Sequence, residues 1–316
     1  MIHAYSLVYS VVNNTAPTAV MASLMQRLSV FIEQLKTTDP TISYSLPLTR
    51  SLMATFRGPG PWTLVNESQR VIEIGELIGD TLISLSHRAG VVEWGWLDLG
   101  DREGVERRLL ALAPVMEKTQ EMSAVGLWRH LLARVFCLSR EEESWTRAEQ
   151  LVAPLCEPTA GIGVLSFWAQ GVMARLSLLR GRVAQAEAQA RALMQFFPSL
   201  PILLAHIAPV HIRALLGLGR ASEAVAVAVQ VLDAIPTLGG YGVAEVEFRL
   251  AASEAFHAND DVERAQTELR ETLRQVQLRA DDITDVFWKN SYLTRNPYVV
   301  RAQALAQQWG LGVVVS

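Results

Sequence analysis

One pattern in the second half of the chain occurs twice, first around Gly181 and again around Gly219. In the segments 179–186 and 218–224, a Leu precedes a Gly-Arg pair, and an Ala follows five residues after the Gly. A Pro comes twelve residues after each Ala, at Pro198 and Pro236. A Gly can end a helix in a left-handed cap, a small Ala lets two helices approach closely, and a Pro stops the second helix. The pattern therefore predicts a repeated pair of antiparallel helices.

Weaker copies of the same turn extend the repeat in both directions. Asp260-Asp261 takes the place of the Gly before Ala265, and the segment 143–148 ends in Ala148 at the matching position. Further upstream, the segment 99–103 resembles the turn again. The helix that follows Asp261 is amphipathic, because its apolar residues recur at spacings of three and four. These copies predict an all-α chain of stacked helix pairs.

Three regions are expected along the chain. Residues 1–80 are predicted to form irregular helical pairs, including a helix from Val20 to Leu35 and a loop at 57–61. Residues 81–290 carry the repeats. Residues 291–316 are predicted to be a C-terminal capping helix, from Pro297 to Trp309, and a tail.

Composition narrows the classes of protein that fit. Half of the residues are hydrophobic and the mean hydropathy is +0.20, which excludes general disorder. The net charge of −4 and the lack of a basic stripe argue against nucleic-acid binding. No basic segment precedes the apolar start, and the apolar segment 200–219 contains His206, His211 and Arg213, which are costly in a membrane. With only two cysteines, the chain is expected to be cytoplasmic and not membrane-bound.

Motifs for catalysis are not found in the sequence. There is no Gly-x-x-x-x-Gly-Lys-Ser/Thr, His-Glu-x-x-His, Cys-x-x-Cys or Gly-x-Ser-x-Gly motif. His206 and His211 are five residues apart, whereas paired zinc ligands on a helix favour a spacing of four. The sequence therefore predicts no enzyme, no cofactor and no metal site.

With those residues in view, the segment from about residue 85 to residue 290 resembles tetratricopeptide-like repeats. Its repeats are longer than the standard unit of that family. It is similar to the C-terminal sensor regions of large bacterial signal-transduction ATPases and of kinase–ATPase fusions, and the run 291–297 with Trp309-Gly310 resembles the segment that closes those regions. The resemblance implies a right-handed superhelix, an α-solenoid, without the kinase and nucleotide-binding domains.

The resemblance also implies which side chains face the inner groove of such a solenoid. One row contains His130, Trp168, His206 and Glu247, and a second contains Cys137, Arg175, Arg213 and Glu254. Two arginines on adjacent repeats are suited to hold a carboxylate or an acidic peptide. The resulting hypothesis is a non-catalytic scaffold in bacterial signal transduction that binds another protein or peptide, such as a kinase or ATPase.

Two alternatives stay open at this stage. The arginines could instead pair with acids of the chain itself and only solvate the groove. The chain could also be a regulatory sensor that binds a small ligand and moves an attached effector. A closed pocket with convergent polar groups, in place of an open groove, would distinguish a sensor from a peptide-binding scaffold.

Overall fold

The computed structural model describes residues 44–312 except 59, 158–162 and 197–200, together with a few isolated positions before residue 44. This described part contains helices and no strand, so the all-α prediction is confirmed. The α-helices of this part are α1 (Ser45–Phe56), α2 (Pro61–Ile78), α3 (Thr81–Ser86), α4 (Val92–Asp98), α5 (Arg102–Met116), α6 (Met122–Cys137), α7 (Glu142–Cys156), α8 (Gly163–Leu179), α9 (Val183–Phe196), α10 (Pro201–Gly217), α11 (Ala221–Leu232), α12 (Ile235–Leu238), α13 (Glu245–Ala258), α14 (Val262–Asp282), α15 (Val286–Arg295) and α16 (Pro297–Gln308). A π-helical turn, His87–Val91, joins α3 to α4, and a 3₁₀ turn, Gly242–Ala244, leads into α13.

The turns between paired helices have the backbone conformation that the repeat predicts. Gly181, between α8 and α9, has φ +73°, and Gly219, between α10 and α11, has φ +72°. Asp260 takes the same left-handed conformation between α13 and α14, with φ +61°. Asp261 then caps α14, because its carboxylate accepts a hydrogen bond from the Arg264 amide at 3.2 Å. Such short connections make each pair antiparallel.

The small residues that follow these turns are packed against neighbouring helices. Ala186 and Ala224 are fully buried, as are Ala148 and Ala265 at the matching positions of the weaker copies. Each helix from α6 to α11 packs against the next one along the chain. In addition, α6, α8, α10 and α13 pack against one another in that order and form a continuous layer, called the inner layer below.

A larger side chain at one of these alanines should destabilise the protein. We expect Ala224→Leu to cost about 1–3 kcal/mol, because it forces α11 away from α10. Glu223→Leu, one residue earlier, should cost less, since the Glu223 side chain is 59% exposed and pairs with Arg220 at the surface. Thermal unfolding of the two variants measures the difference. Equal losses would show that the repeat register is wrong.

Parts of the sequence interpretation are changed or fall outside the described residues. Helix α11 ends at Leu232, before Pro236, which instead lies in the first turn of the short helix α12. Pro198 and most of the predicted helix 20–35 lie outside the described residues, although the isolated positions Val20 and Val30 are helical. A helix, α16, lies where the C-terminal capping helix was predicted, and Asn296 forms its N-cap by accepting hydrogen bonds from the Tyr298 and Val299 amides.

The C-terminal helices pack back against the N-terminal ones. Asn296 donates hydrogen bonds to the backbone oxygen of Asp98 at 2.7 Å and to its carboxylate at 2.8 Å. The rings of Trp96 and Trp288 lie 4.7 Å apart. Gly242 contacts the backbone of α1 so closely that a Cβ atom there would overlap the carbonyl oxygen of Thr55. These contacts hold α1 and α4 against α15 and against the segments that precede α13 and α16.

One stretch has the length and apolar composition of a membrane-crossing helix. It is Ala221–Leu238, of which 22% is buried. The helical run is interrupted after Leu232, where Asp233 ends α11. Core helices of soluble proteins pass the same test of length and composition, so this stretch is weak evidence for a membrane.

Candidate functional site

Three of the predicted groove residues meet in a cluster of rings at the inner layer. His130 on α6, Trp168 on α8 and His206 on α10 are equally spaced along the chain, so they occupy the same position of successive repeats. The His130 and Trp168 rings are 5.5 Å apart, and those of Trp168 and His206 are 6.4 Å apart. Trp94 of α4 packs against all three, at 5.7 Å from His130 and 5.3 Å from each of the other two. Trp94 therefore covers the row, and we call these four side chains the ring cluster.

A charged cluster adjoins the rings. Glu247 of α13 lies 2.8 Å from Arg175, 3.1 Å from Arg213 and 3.8 Å from Arg134. Although its burial raises the pKa of the Glu247 carboxyl, the three guanidiniums outweigh burial and lower the pKa to about 2. A second carboxylate, Glu254, accepts from Arg213 at 3.4 Å. The inner layer thus holds its arginines around its own acids.

This pairing differs from the open groove expected for a peptide. Arg175 and Arg213 do not project freely into a channel, because Glu247 occupies the position of the expected ligand carboxylate. Arg175 also donates a hydrogen bond to the Tyr298 hydroxyl at 3.4 Å, so α16 covers the same row from the C-terminal side. These contacts agree with the alternative in which the arginines pair with acids of the chain itself.

Several buried nitrogens of the ring cluster lack a hydrogen-bond partner within the described residues. They are both ring nitrogens of His130, Nε1 of Trp168 and Nε2 of His206. His130 is 2% exposed and Trp168 is 8% exposed, so bulk water does not satisfy these groups. Burial lowers the pKa of His206 to about 3 and that of His130 well below its usual value, so both imidazoles are neutral at pH 7. Unsatisfied buried polar groups are rare, and a bound water, ion or ligand is one way to satisfy them.

Two small cavities adjoin these groups and share Arg134 and Arg175 in their walls. The first has a volume of about 40 Å³. The second, about 20 Å³, opens among the rings. The first is lined by Trp94, Leu97, Asp98, Arg134, Cys137, Leu138, Arg175, Val243, Asn296, Pro297 and Tyr298. The second is lined by His130, Arg134, Phe167, Trp168, Gly171, Val172, Arg175, His206 and Ile207. A cavity of this size holds a few waters or a small ligand.

The titratable groups of the first cavity are not poised as nucleophiles. Burial raises the pKa of the Cys137 thiol to about 11, so the reactive thiolate is scarce at neutral pH. Burial also raises the pKa of Asp98 to about 6, although the Arg279 charge and the Asn296 hydrogen bond act in the opposite direction. Among the described residues, no group of three or more His, Cys, Asp and Glu side chains could hold a metal ion. The arrangement is therefore suited to binding through charge and hydrogen bonds.

Sequence reasoning missed several residues of this site. Arg134 lies outside the evenly spaced row, and Trp94, Asp98, Asn296 and Tyr298 come from segments far from the inner layer in sequence. The segment 291–297 stood out only as part of a family resemblance. Conversely, His211 is placed away from the rings, with Nε2 at 3.6 Å from Glu187.

A larger groove lies on the outer surface, with a volume of about 340 Å³. Its charged groups are already satisfied, because Arg108 donates to both oxygens of Glu93 at 2.7 and 2.8 Å and to Asp101 at 2.9 Å. Trp96 lies under the Arg108 guanidinium, 5.5 Å from it. The groove has the volume of a ligand site, but its paired charges leave it without the unsatisfied groups of the central cavities.

Comparison with known proteins does not assign the chain to a family. No protein-family model matches the chain, and no curated protein is similar enough in sequence to count as a match.

Proposed function

We propose that the protein is a non-catalytic sensor that binds a small molecule in the central cavities of a tetratricopeptide-like solenoid. The observation that carries the proposal is the set of unpartnered nitrogens of His130 and Trp168, which line a cavity together with Arg134. A closed pocket with convergent polar groups is the feature that distinguishes a small-ligand sensor from a peptide groove. The covering of the row by Trp94 and Tyr298 supports this choice over a peptide-binding channel.

The solenoid is itself part of the proposal. Its support is the repeat of left-handed turns at Gly181, Gly219 and Asp260, and the packing of α6, α8, α10 and α13 in order. The proposed right-handed superhelix follows from the family resemblance of residues 85–290, as do a role in bacterial signal transduction and a cytoplasmic location. In a sensor of this type, ligand binding between repeats would change the stacking of neighbouring helix pairs.

A scaffold that binds another protein is the second candidate. It is favoured by the exposed apolar residues at the start of α15, where Val286 is 83% exposed and Phe287 is 58% exposed. Exposed apolar groups that lie together often mark contacts with partners. A protein partner, such as a kinase or ATPase, would then bind this outer surface and not the inner row.

The sensor function is testable by thermal unfolding in the presence of four classes of small compound: carboxylic acids, amides, alcohols and amino acids. We expect at least one class to raise the Tm of the wild-type protein, because a ligand at about 100 times its Kd stabilises by roughly 2.7 kcal/mol. Trp168→Phe keeps an aromatic side chain but removes the unpartnered N–H, so it should weaken binding of that ligand by about five-fold. The matched control is Trp288→Phe, outside the cavities.

Two results would contradict the sensor function. In the first, no compound class raises the Tm of the wild-type protein. In the second, Trp168→Phe and Trp288→Phe reduce the stabilisation equally, which would place the ligand outside the central cavities.

A further inference from the structure

We propose that the ligand of the central cavities is a small carboxylate of about four heavy atoms, with its carboxylate on Arg134 and its hydrocarbon part against Trp94, Leu97 and Leu138. This inference rests on the proposed sensor function and names the chemical class of its ligand.

Arg134 is the group that would hold the carboxylate. Its side chain is only 17% exposed, yet within the described residues it makes no hydrogen bond, and its ion pair with Glu247 is long, at 3.8 Å. Arg175, in contrast, is engaged by both Glu247 and Tyr298. A guanidinium presents five donors in a planar fork that fits a carboxylate, so a largely buried guanidinium without hydrogen bonds has unused capacity for an anion.

The surrounding charges favour an anion as well. Four guanidiniums converge on two carboxylates, because Glu247 is shared by three arginines and Glu254 accepts from Arg213 and Arg301. Asp98 is the remaining acid of the cavity, and it is already bonded to Asn296. Counting Asp98, four guanidiniums lie among three carboxylates in and beside the cavity, and a ligand carboxylate would balance this excess of one charge.

The apolar wall and the volume select a short organic acid over an inorganic anion. Leu97, Leu138 and Val243 line the cavity beside Trp94, and they offer nothing to the oxygens of phosphate or sulfate. A volume of about 40 Å³ has room for roughly three waters, which limits the ligand to the smallest organic acids. Pro297, which forms part of the wall, is exposed, so this wall reaches the surface and offers a route of entry.

Further donors are available for the ligand oxygens. The Tyr298 hydroxyl accepts from Arg175 at 3.4 Å, and its own proton is left to donate into the cavity. On the other side of Arg134, the Trp168 N–H is unpartnered. A carboxylate has about four acceptor sites, and the Arg134 fork and the Tyr298 hydroxyl, which line the same cavity, can fill up to three of them.

The test is isothermal titration with acetate, propionate and pyruvate, and with the neutral isosteres acetamide and propionamide. We expect at least one carboxylate to bind, no tighter than about micromolar for a ligand of this size, and its amide to bind at least about ten-fold more weakly. Arg134→Met should weaken carboxylate binding by about ten-fold or more, and Tyr298→Phe by a few-fold. The matched control is Arg129→Met on the same helix, which should leave binding unchanged, because a separation of five residues turns Arg129 to another face.

Thermal unfolding without ligand checks that each variant folds, and Arg134→Met is expected to fold because Arg134 makes only the long contact with Glu247. Equal binding of the carboxylates and their amides would overturn the inference, as would equal losses in Arg134→Met and Arg129→Met. Binding of phosphate or sulfate alone would overturn it in favour of an inorganic anion site. If an alcohol, or an amino acid whose carboxylate does not require Arg134, stabilises the protein through Trp168 while no simple carboxylate binds, this inference fails and the sensor function stands.

Discussion

Replacing Glu247 by Gln should destabilise the protein by on the order of 3–5 kcal/mol. The carboxylate is 5% exposed and balances Arg134, Arg175 and Arg213, so the isosteric amide leaves Arg134 and Arg175 without a charge partner and Arg213 with Glu254 alone. Removing one partner from a buried ion pair costs far more than removing a surface pair, because the remaining charge stays in a medium that solvates it poorly. Urea unfolding at pH 7 measures the change.

The control for Glu247→Gln is Glu223→Gln. Glu223 is exposed and its pair with Arg220 is short, at 2.6 Å, but solvent screens an exposed pair and its contribution to stability is small. Combining Glu247→Gln with Arg175→Met should recover part of the loss, since one of the unpaired guanidiniums is then removed. A loss in Glu247→Gln no larger than in Glu223→Gln would show that the charged cluster is solvated and does not hold the inner layer together.

Lowering the pH from 7 to 5 should destabilise the protein by on the order of 3–5 kcal/mol. Burial lowers the pKa of His87 to about 4 and of His206 to about 3, and it also lowers the pKa of His130. In the unfolded chain these imidazoles titrate near pH 6.5, so the stability is fully present above that pH and is lost as the pH falls towards the folded pKa values. Each histidine contributes about 1.4 kcal/mol per pH unit in this window.

Asp98 acts in the opposite direction over part of the same range. Its pKa is raised to about 6 in the folded protein, so protonation below that pH favours the folded state until the unfolded carboxyl also titrates near pH 4. Burial likewise lowers the pKa of His211 and raises that of Glu93, so these two groups act in opposite directions, and the histidines together exceed the offset from the two acids. Glu247, with a pKa of about 2, matters only below pH 4.5 and does not enter the window.

The matched variant for the pH dependence is His130→Phe. Its ring nitrogens have no hydrogen-bond partner within the described residues, so Phe can keep the ring packing while removing one titrating group. Between pH 7 and 5, the destabilisation caused by the histidines should be about a third smaller in this variant than in the wild-type protein. Urea midpoints that do not change with pH in the wild-type protein, or that change equally in the variant, would contradict the burial of these imidazoles.

The local parts of the structure were accessible from the sequence. Gly181 and Gly219 indicated where the first helix of each pair ends, because the left-handed residue at the end of a helix is usually a glycine. The equal spacing of His130, Trp168 and His206 was enough to place them in one row, since equal positions of successive repeats face the same side.

The residues that cover the site could not be predicted from the sequence. Asn296 bonds to Asp98 across 198 residues of chain, and no local pattern encodes that partner. Trp94 was visible as an aromatic residue, but only the packing of α4 against the inner layer shows that it covers the row. The resemblance predicted an open groove because it was drawn from repeats 85–290, which give no information on what packs across them. Arg134 was missed because it is outside the repeated positions.

The most direct test of a ligand in the central cavities is the indole N–H resonance of Trp168 in tryptophan-labelled protein, assigned by its loss in Trp168→Phe. Trp128 and Trp145 are internal references, because their N–H groups already donate to the backbone oxygens of Leu109 at 2.7 Å and Ser139 at 2.9 Å. On titration with the compound that raises the Tm, we expect a saturable shift of the Trp168 resonance and little change in the two references. A saturating ligand that leaves Trp168 unchanged and shifts only the resonances of Trp96 or Trp288 would contradict the central site and place binding on the outer surface.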